Sequence, residues 1–171
     1  MSLANPIEFL PPAIQPELIS GDPRFGPLSD LRTVLRDLRG LDIDAQHVRE
    51  LVEARFLIGF NIGVCATAKL ELRVLTKSLD FFTTHGGRRF HELADDPEVN
   101  WQKIFRCIVP HRKPVVTGLE IRRGLLCHAT HVQNLIAAGH LAVLKKSAPG
   151  PGGSWTIRRD SYEAWLKSRM L

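Results

Sequence analysis

Side chains capable of covalent or metal chemistry are few and poorly spaced in this chain. Cys127 beside His128, with His131 three residues on, is the one grouping that offers a nucleophile with a base. Adjacent residues on a turn rarely face each other, and an activated nucleophile needs its base within hydrogen-bond reach. The same three residues match no standard zinc spacing, and a fourth ligand is not evident. Cys65, Cys107 and Cys127 form an odd, widely separated set without a Cys-x-x-Cys pair, so they read as reduced thiols and not as a disulfide framework. The stretch Pro149 to Gly153 is glycine-rich but lacks the Lys-Ser/Thr that completes a phosphate-binding loop. No paired carboxylates stand out. The expectation is a protein that is not an enzyme and holds no metal and no cofactor.

The remaining polar chemistry is charge and hydrogen bonding, and both concentrate near the C-terminus. Net charge is −3 over residues 1–30, +1 over 31–82, 0 over 83–110 and +7 over 111–171, which together give the chain's +5. A surface of that sign attracts polyanions through its long-range field and through counterion release. With 171 residues, 44% of them hydrophobic and 24% charged, the chain can bury one medium core or two small ones, which excludes a disordered or fibrous protein. No apolar run reaches membrane-spanning length and no secretory leader is read, so no membrane partner is expected and the cytoplasm is the default compartment.

The elements that must position these groups come in two copies. Residues 47–57, HVRELVEARFL, align with 131–141, HVQNLIAAGHL, at a spacing of 84. Further on the spacing falls to 83: Leu72-Arg73-Val74 aligns with Trp155-Thr156-Ile157, Ser78 with Ser161 and Phe82 with Trp165. The single residue of difference falls where a hairpin tip tolerates it.

In the second copy, Thr117-Gly118-Leu119-Glu120 fits a capping box that opens a short helix ending near Leu126. A tight turn at Cys127 and His128 leads to a second helix over about 129–138, with Val132, Leu135 and Ile136 on one face. Gly139 suits the left-handed position that closes it. Residues 141–146 and 155–159 flank a Pro-Gly tip as two hairpin strands. Asp160 is then expected to cap a last helix carrying Tyr162, Trp165 and Leu166.

That order of helix, turn, helix, hairpin and helix, with Thr117-Gly118-Leu119-Glu120-Ile121, His131-Val132-Gln133-Asn134-Leu135-Ile136, Gly139-His140-Leu141 and Ile157-Arg158-Arg159-Asp160-Ser161, resembles the MerR-like, excisionase-type winged helix-turn-helix DNA-binding domains. The resemblance covers about the last 55 residues, and 31–82 more loosely. It implies duplex DNA as partner, the second helix in the major groove and the hairpin wing on the backbone or minor groove. The helix face opposite Val132, Leu135 and Ile136 carries Thr130, Gln133, Asn134 and Ala137. Gln and Asn can pair bidentately with adenine, and Thr can bond a base edge or touch a thymine methyl. Thr130, Gln133 and Asn134 are therefore the expected base contacts. Arg122, Arg123, Lys145, Lys146, Arg158 and Arg159 are the expected phosphate contacts, which position without reading sequence.

The expected fold is mainly helical α+β, with small hairpin wings: an irregular, proline-dotted arm at 1–27, a degenerate winged helix-turn-helix at 28–84, a connector at 85–113 and the DNA-binding unit at 114–171. In the connector, Trp101, Ile104, Phe105 and Ile108 recur at helical spacing and predict an amphipathic helix over 99–109 ended by Pro110. The first copy presents Gln46, Arg49, Glu50 and Glu53 where the second presents its amides, and those carboxylates repel phosphate. Its hairpin, around 56–62 and 70–74, has an apolar tip at 63–68, which suggests self-association or a protein partner. His47 and His131 recur at one place although the polar face around them differs, which points to a structural role. The functional expectation is a sequence-selective duplex DNA-binding protein, a transcription regulator or an excisionase-like architectural factor. The alternative is an interaction module on the same fold without DNA binding.

Overall fold

A computed structural model describes residues 26–65, 69–96, 98–146 and 155–171. The expected N-terminal arm and the Pro-Gly hairpin tip lie almost wholly outside these residues, as does part of the first hairpin's tip. The first group of elements is β1 (Leu28–Asp30), α1 (Leu31–Asp37), a 3₁₀ turn (Arg39–Leu41), α2 (Ala45–Glu53), β2 (Gly59–Asn61), β3 (Leu72–Leu75) and α3 (Thr76–Thr84). Two connecting helices follow, α4 (His91–Ala94) and α5 (Trp101–Ile108). The second group is β4 (Val115–Thr117), α6 (Gly118–Leu125), α7 (Ala129–Ala137), β5 (Val143–Lys146), β6 (Trp155–Arg158) and α8 (Arg159–Ser168). The class is α+β, mainly helical, with two small antiparallel sheets ordered β1-β3-β2 and β4-β6-β5. No helix among the described residues is long and apolar enough to cross a membrane.

The two groups share their element order and their strand order. They also share two left-handed backbone positions at the spacing of 84: Asp42 (φ 51°) with Leu126 (φ 50°), and Arg55 (φ 60°) with Gly139 (φ 80°). Each pair ends one helix and turns the chain toward the next element. Only Gly139 occupies that region without strain from a Cβ. Strands β1 and β4 add a third member to each sheet. They have three residues apiece, too few for alternation to be visible in the sequence.

Local rules explain the helix starts. Thr117 accepts from the N–H of Glu120 while the Glu120 carboxylate accepts from the N–H of Thr117 at 2.7 Å, a reciprocal box at the head of α6. Asp44 and His47 form the equivalent arrangement at the head of α2. The last helix departs from expectation. It begins at Arg159 behind Arg158, which makes no side-chain cap, and Asp160 sits inside the first turn. There it favours the helix through the macrodipole and pairs with Arg158.

Period-2 alternation divides the first sheet between two cores. Leu72 and Val74 face inward on Val34, Val48, Val52 and Phe82 of their own group. Phe60, Ile58, Ile62 and Leu75 turn the other way and join Trp101, Phe105, Leu135, Tyr162 and Leu166 in a core that runs through the second group. Gly59 lets β2 lie close over α2, since a Cβ there would stand 2.5 Å from Cγ1 of Val52. The apolar 56–64 stretch is therefore covered within the chain. At the tip where an association surface is expected, Ile62 is fully buried and Val64 packs against the shared core, Cys65 is exposed, and residues 66–68 lie outside the described residues.

Polar contacts fix this docking. Arg73 donates from Nε to the carbonyl of Leu125 at 2.9 Å and from Nη2 to that of Leu126 at 3.0 Å, satisfying carbonyls that the end of α6 leaves unpaired. His131 and His140 reach the carbonyls of Ile62 and Val64 through Nε2, at 2.7 and 2.9 Å. The C-terminal residues run along the free edge of β2, where the N–H of Asn61 donates to Arg169 and the N–H of Leu171 to Gly59, each at 2.9 Å. Helix α5 and the turn before it lock onto α8: Trp101 Nε1 donates to Glu163 at 2.9 Å, and Lys167 pairs with Glu98, just ahead of α5, at 2.6 Å.

Candidate nucleic-acid interface

Helix α7 is amphipathic in the sense its sequence dictates. Val132 and Leu135 are buried and Ile136 is half-buried against the core, while Thr130, Gln133, Asn134 and Ala137 are all exposed. No hydrogen bond or ion pair within the described residues engages the Thr130, Gln133 or Asn134 side chains. The result is an uncharged row of donors and acceptors on one face.

Helix α6 packs against α7 and turns Ile121, Gly124 and Leu125 inward. Arg122 and Arg123 lie on its exposed side, near the negative end of its dipole, which favours cations. Lys145 and Lys146 stand exposed on β5, an edge strand, opposite Thr156 and Trp155. The ladder is irregular between Val143 and Lys145, and Leu144 there is 58% exposed. Lys146 Nζ lies 4.6 Å from the centre of the Trp155 ring, and that ring also covers Gly118 at the start of α6. Trp155 thus orients a cation against the head of α6, a role the chain pattern did not single out. Its signal was the position directly opposite Lys146 once the hairpin is paired.

The other two expected phosphate contacts have partners inside the chain. Arg158 donates from Nε to Asp160 at 3.0 Å, and that hydrogen bond holds the Asp160 carboxyl below its usual range. Arg159 bonds the carbonyl of His111 and lies 5.1 Å from the centre of the Phe105 ring. Its guanidinium joins α8 to α5. Of the six expected phosphate contacts, the side chains of Arg122, Arg123, Lys145 and Lys146 have no ion-pair or hydrogen-bond partner among the described residues.

Within the described residues no side-chain hydrogen bond joins Cys127, His128 and His131 to one another. The Cys127 thiol is half-buried, and burial pushes it up to about 11, far from a thiolate at neutral pH. His128 is exposed at the N-terminus of α7, and His131 turns to Ile62. Among the described residues no three His, Cys, Asp or Glu side chains converge as metal ligands.

In the first group, Gln46, Arg49 and Glu53 are exposed on α2, and Gln46 donates to Glu50 at 3.1 Å. This face offers two carboxylates against one cation where α7 offers amides. Comparison of the chain with protein-family models, with curated proteins and with solved structures finds no match. The functional reading therefore rests on geometry and charge.

Proposed function

We propose that the chain is a non-enzymatic, sequence-selective double-stranded DNA-binding protein made of two winged helix-turn-helix units, the second of which makes the contacts. The observation that carries the reading is the exposed row of Thr130, Gln133 and Asn134 on α7, together with exposed cations on α6 and β5 that have no carboxylate partner among the described residues. Helices α6 and α7 are the helix-turn-helix, and the β5–β6 hairpin is the wing. With α7 in the major groove, the amides of Gln133 and Asn134 pair with adenine edges and Thr130 bonds or touches a neighbouring base. Arg122, Arg123, Lys145 and Lys146 neutralise phosphates and set register. Arg158 and Arg159 add to the positive field while holding the helix that supports the wing.

The first unit has the same order of elements and a different task. Its hairpin and Arg73 brace α6 and α7 from behind, and its acidic α2 face is kept off the phosphates by charge. That face is also the observation favouring the second reading, a protein-interaction module without DNA affinity. The resemblance to MerR-like, excisionase-type domains agrees with a transcription regulator or an architectural factor.

The test is selection from a pool of randomised duplexes. The expected result is enrichment of one sequence, with Gln133→Ala relaxing the selection and Arg122→Ala with Arg123→Ala weakening every duplex alike. Retention of duplexes without enrichment would contradict base reading by α7.

A further inference from the structure

Between α3, α4 and α5, on a part of the molecule that shares no residue with the α7 face, lies an open cavity of about 670 Å³. That volume falls within the range of small-molecule sites. Phe90, Leu93 and Ile108 give it apolar walls. Its polar lining is Lys77 and Asp80 from α3, Glu92 from α4, and Lys103 and Arg106 from α5. Among the described residues no ion pair joins any of these three cations to a carboxylate, although two carboxylates share the cavity with them. The Asp80 Oδ1 is buried and has no hydrogen-bond partner. A buried carboxylate oxygen left unpaired is costly and calls for a donor.

We infer that this cavity binds a small hydroxylated polycarboxylate, its carboxylates on Lys77, Lys103 and Arg106 and its hydroxyl donating to Asp80. Lys103 and Arg106 lie one turn apart on one face of α5, and Lys77 lines the cavity from α3. Positive charge is therefore spread along two walls. It suits several carboxylates on a carbon skeleton better than one compact phosphate, and the apolar residues between accommodate that skeleton. The terminal torsion of an aspartate is soft, so a hydroxyl in the cavity can draw the Asp80 oxygen toward it. Glu92 stands at the α4 side and repels excess anion, which favours a ligand that offers a donor as well as charge. Burial, with the Asp37 carboxylate behind it, pushes Asp80 up to about 6, as expected of an acceptor lacking its donor. A ligand held this way joins α3 of the first unit to α5, the helix packed on α8 of the second.

The probe pair is citrate and tricarballylate, which differ only by the hydroxyl, titrated calorimetrically into the full chain at neutral pH. Citrate is expected to bind with a dissociation constant below about 1 mM, and tricarballylate roughly tenfold more weakly. Lys103→Gln with Arg106→Gln, both exposed positions, should abolish binding of both. Asp80→Ala should erase the difference between the two acids. Arg122→Gln with Arg123→Gln should leave citrate binding unchanged, which separates this cavity from the basic face of the second unit. No heat from citrate up to about 10 mM, equal affinity for the two acids, or binding that survives the Lys103 and Arg106 changes would overturn the inference.

Discussion

Ser161 makes in the second sheet the same two hydrogen bonds that Ser78 makes in the first. Ser78 Oγ accepts from the N–H of Ile58 at 3.1 Å and donates to the carbonyl of Leu75 at 2.7 Å. Ser161 Oγ accepts from the N–H of Ala142 at 3.0 Å and donates to the carbonyl of Arg158 at 2.8 Å. Each hydroxyl ties the entry of a hairpin to the strand end from which the last helix departs. The difference is burial, since Ser78 is 1% exposed and the Ser161 bridge lies in solvent. Ser78→Ala strands a buried N–H and should cost about 1–3 kcal/mol in urea unfolding, whereas water replaces Ser161 and Ser161→Ala should cost about 1 kcal/mol or less. Equal costs would show that the two bridges are not distinguished by burial.

Arg159 and Arg158 should separate in the same measurement. Arg159→Ala removes a bond to the His111 carbonyl and a cation over Phe105, a loss of about 1–3 kcal/mol. Arg158→Ala breaks an exposed pair with Asp160 and should leave the unfolding midpoint where it is. A wild-type midpoint for Arg159→Ala would remove that side chain from the junction of α5 and α8.

Asp80 gives stability a pH signature of opposite sign to an ordinary paired carboxylate. Its folded-state value of about 6 lies above its unfolded value, so the native state holds the extra proton between the two. Stability from this group is full at acid pH below the unfolded value and is lost as pH rises through about 6. Asp80→Asn should therefore raise the melting temperature at pH 8 and raise it much less at pH 4. An equal gain at both values would place the effect in packing and not in charge.

Thiol reactivity should follow burial. Cys65 is exposed, whereas Cys127 is half-buried and pushed up to about 11, so iodoacetamide near neutral pH should label Cys65 well before Cys127. Faster labelling at Cys127, read by peptide mass spectrometry, would contradict this ordering and point to a nucleophilic role for it.

Local signals carried much of the fold. The capping box at Thr117 and Glu120, the left-handed Gly139 and the helical spacing of Trp101, Ile104, Phe105 and Ile108 are short-range, and each corresponds to the element the sequence predicts. The recurrence at 83 to 84 residues pointed to paired positions such as Ser78 and Ser161. What was hidden depends on residues far apart in the chain. Leu126 takes a left-handed conformation that its side chain does not advertise, and the apolar hairpin tip reads equally as a partner surface or an internal dock. Arg158 and Arg159 look like free cations until Asp160, Phe105 and the His111 carbonyl stand beside them. The cavity polar groups come from three separate helices, and no motif links them.

The most direct test of DNA binding by the second unit is fluorescence anisotropy with mixed-sequence duplex DNA across a salt series. Four phosphate contacts from Arg122, Arg123, Lys145 and Lys146 give an expected slope of log affinity against log salt of roughly −3 to −4, and removing the four side chains should bring the slope close to zero. Absence of binding at low salt, or a slope unchanged in the fourfold variant, would contradict the assignment of this face to DNA.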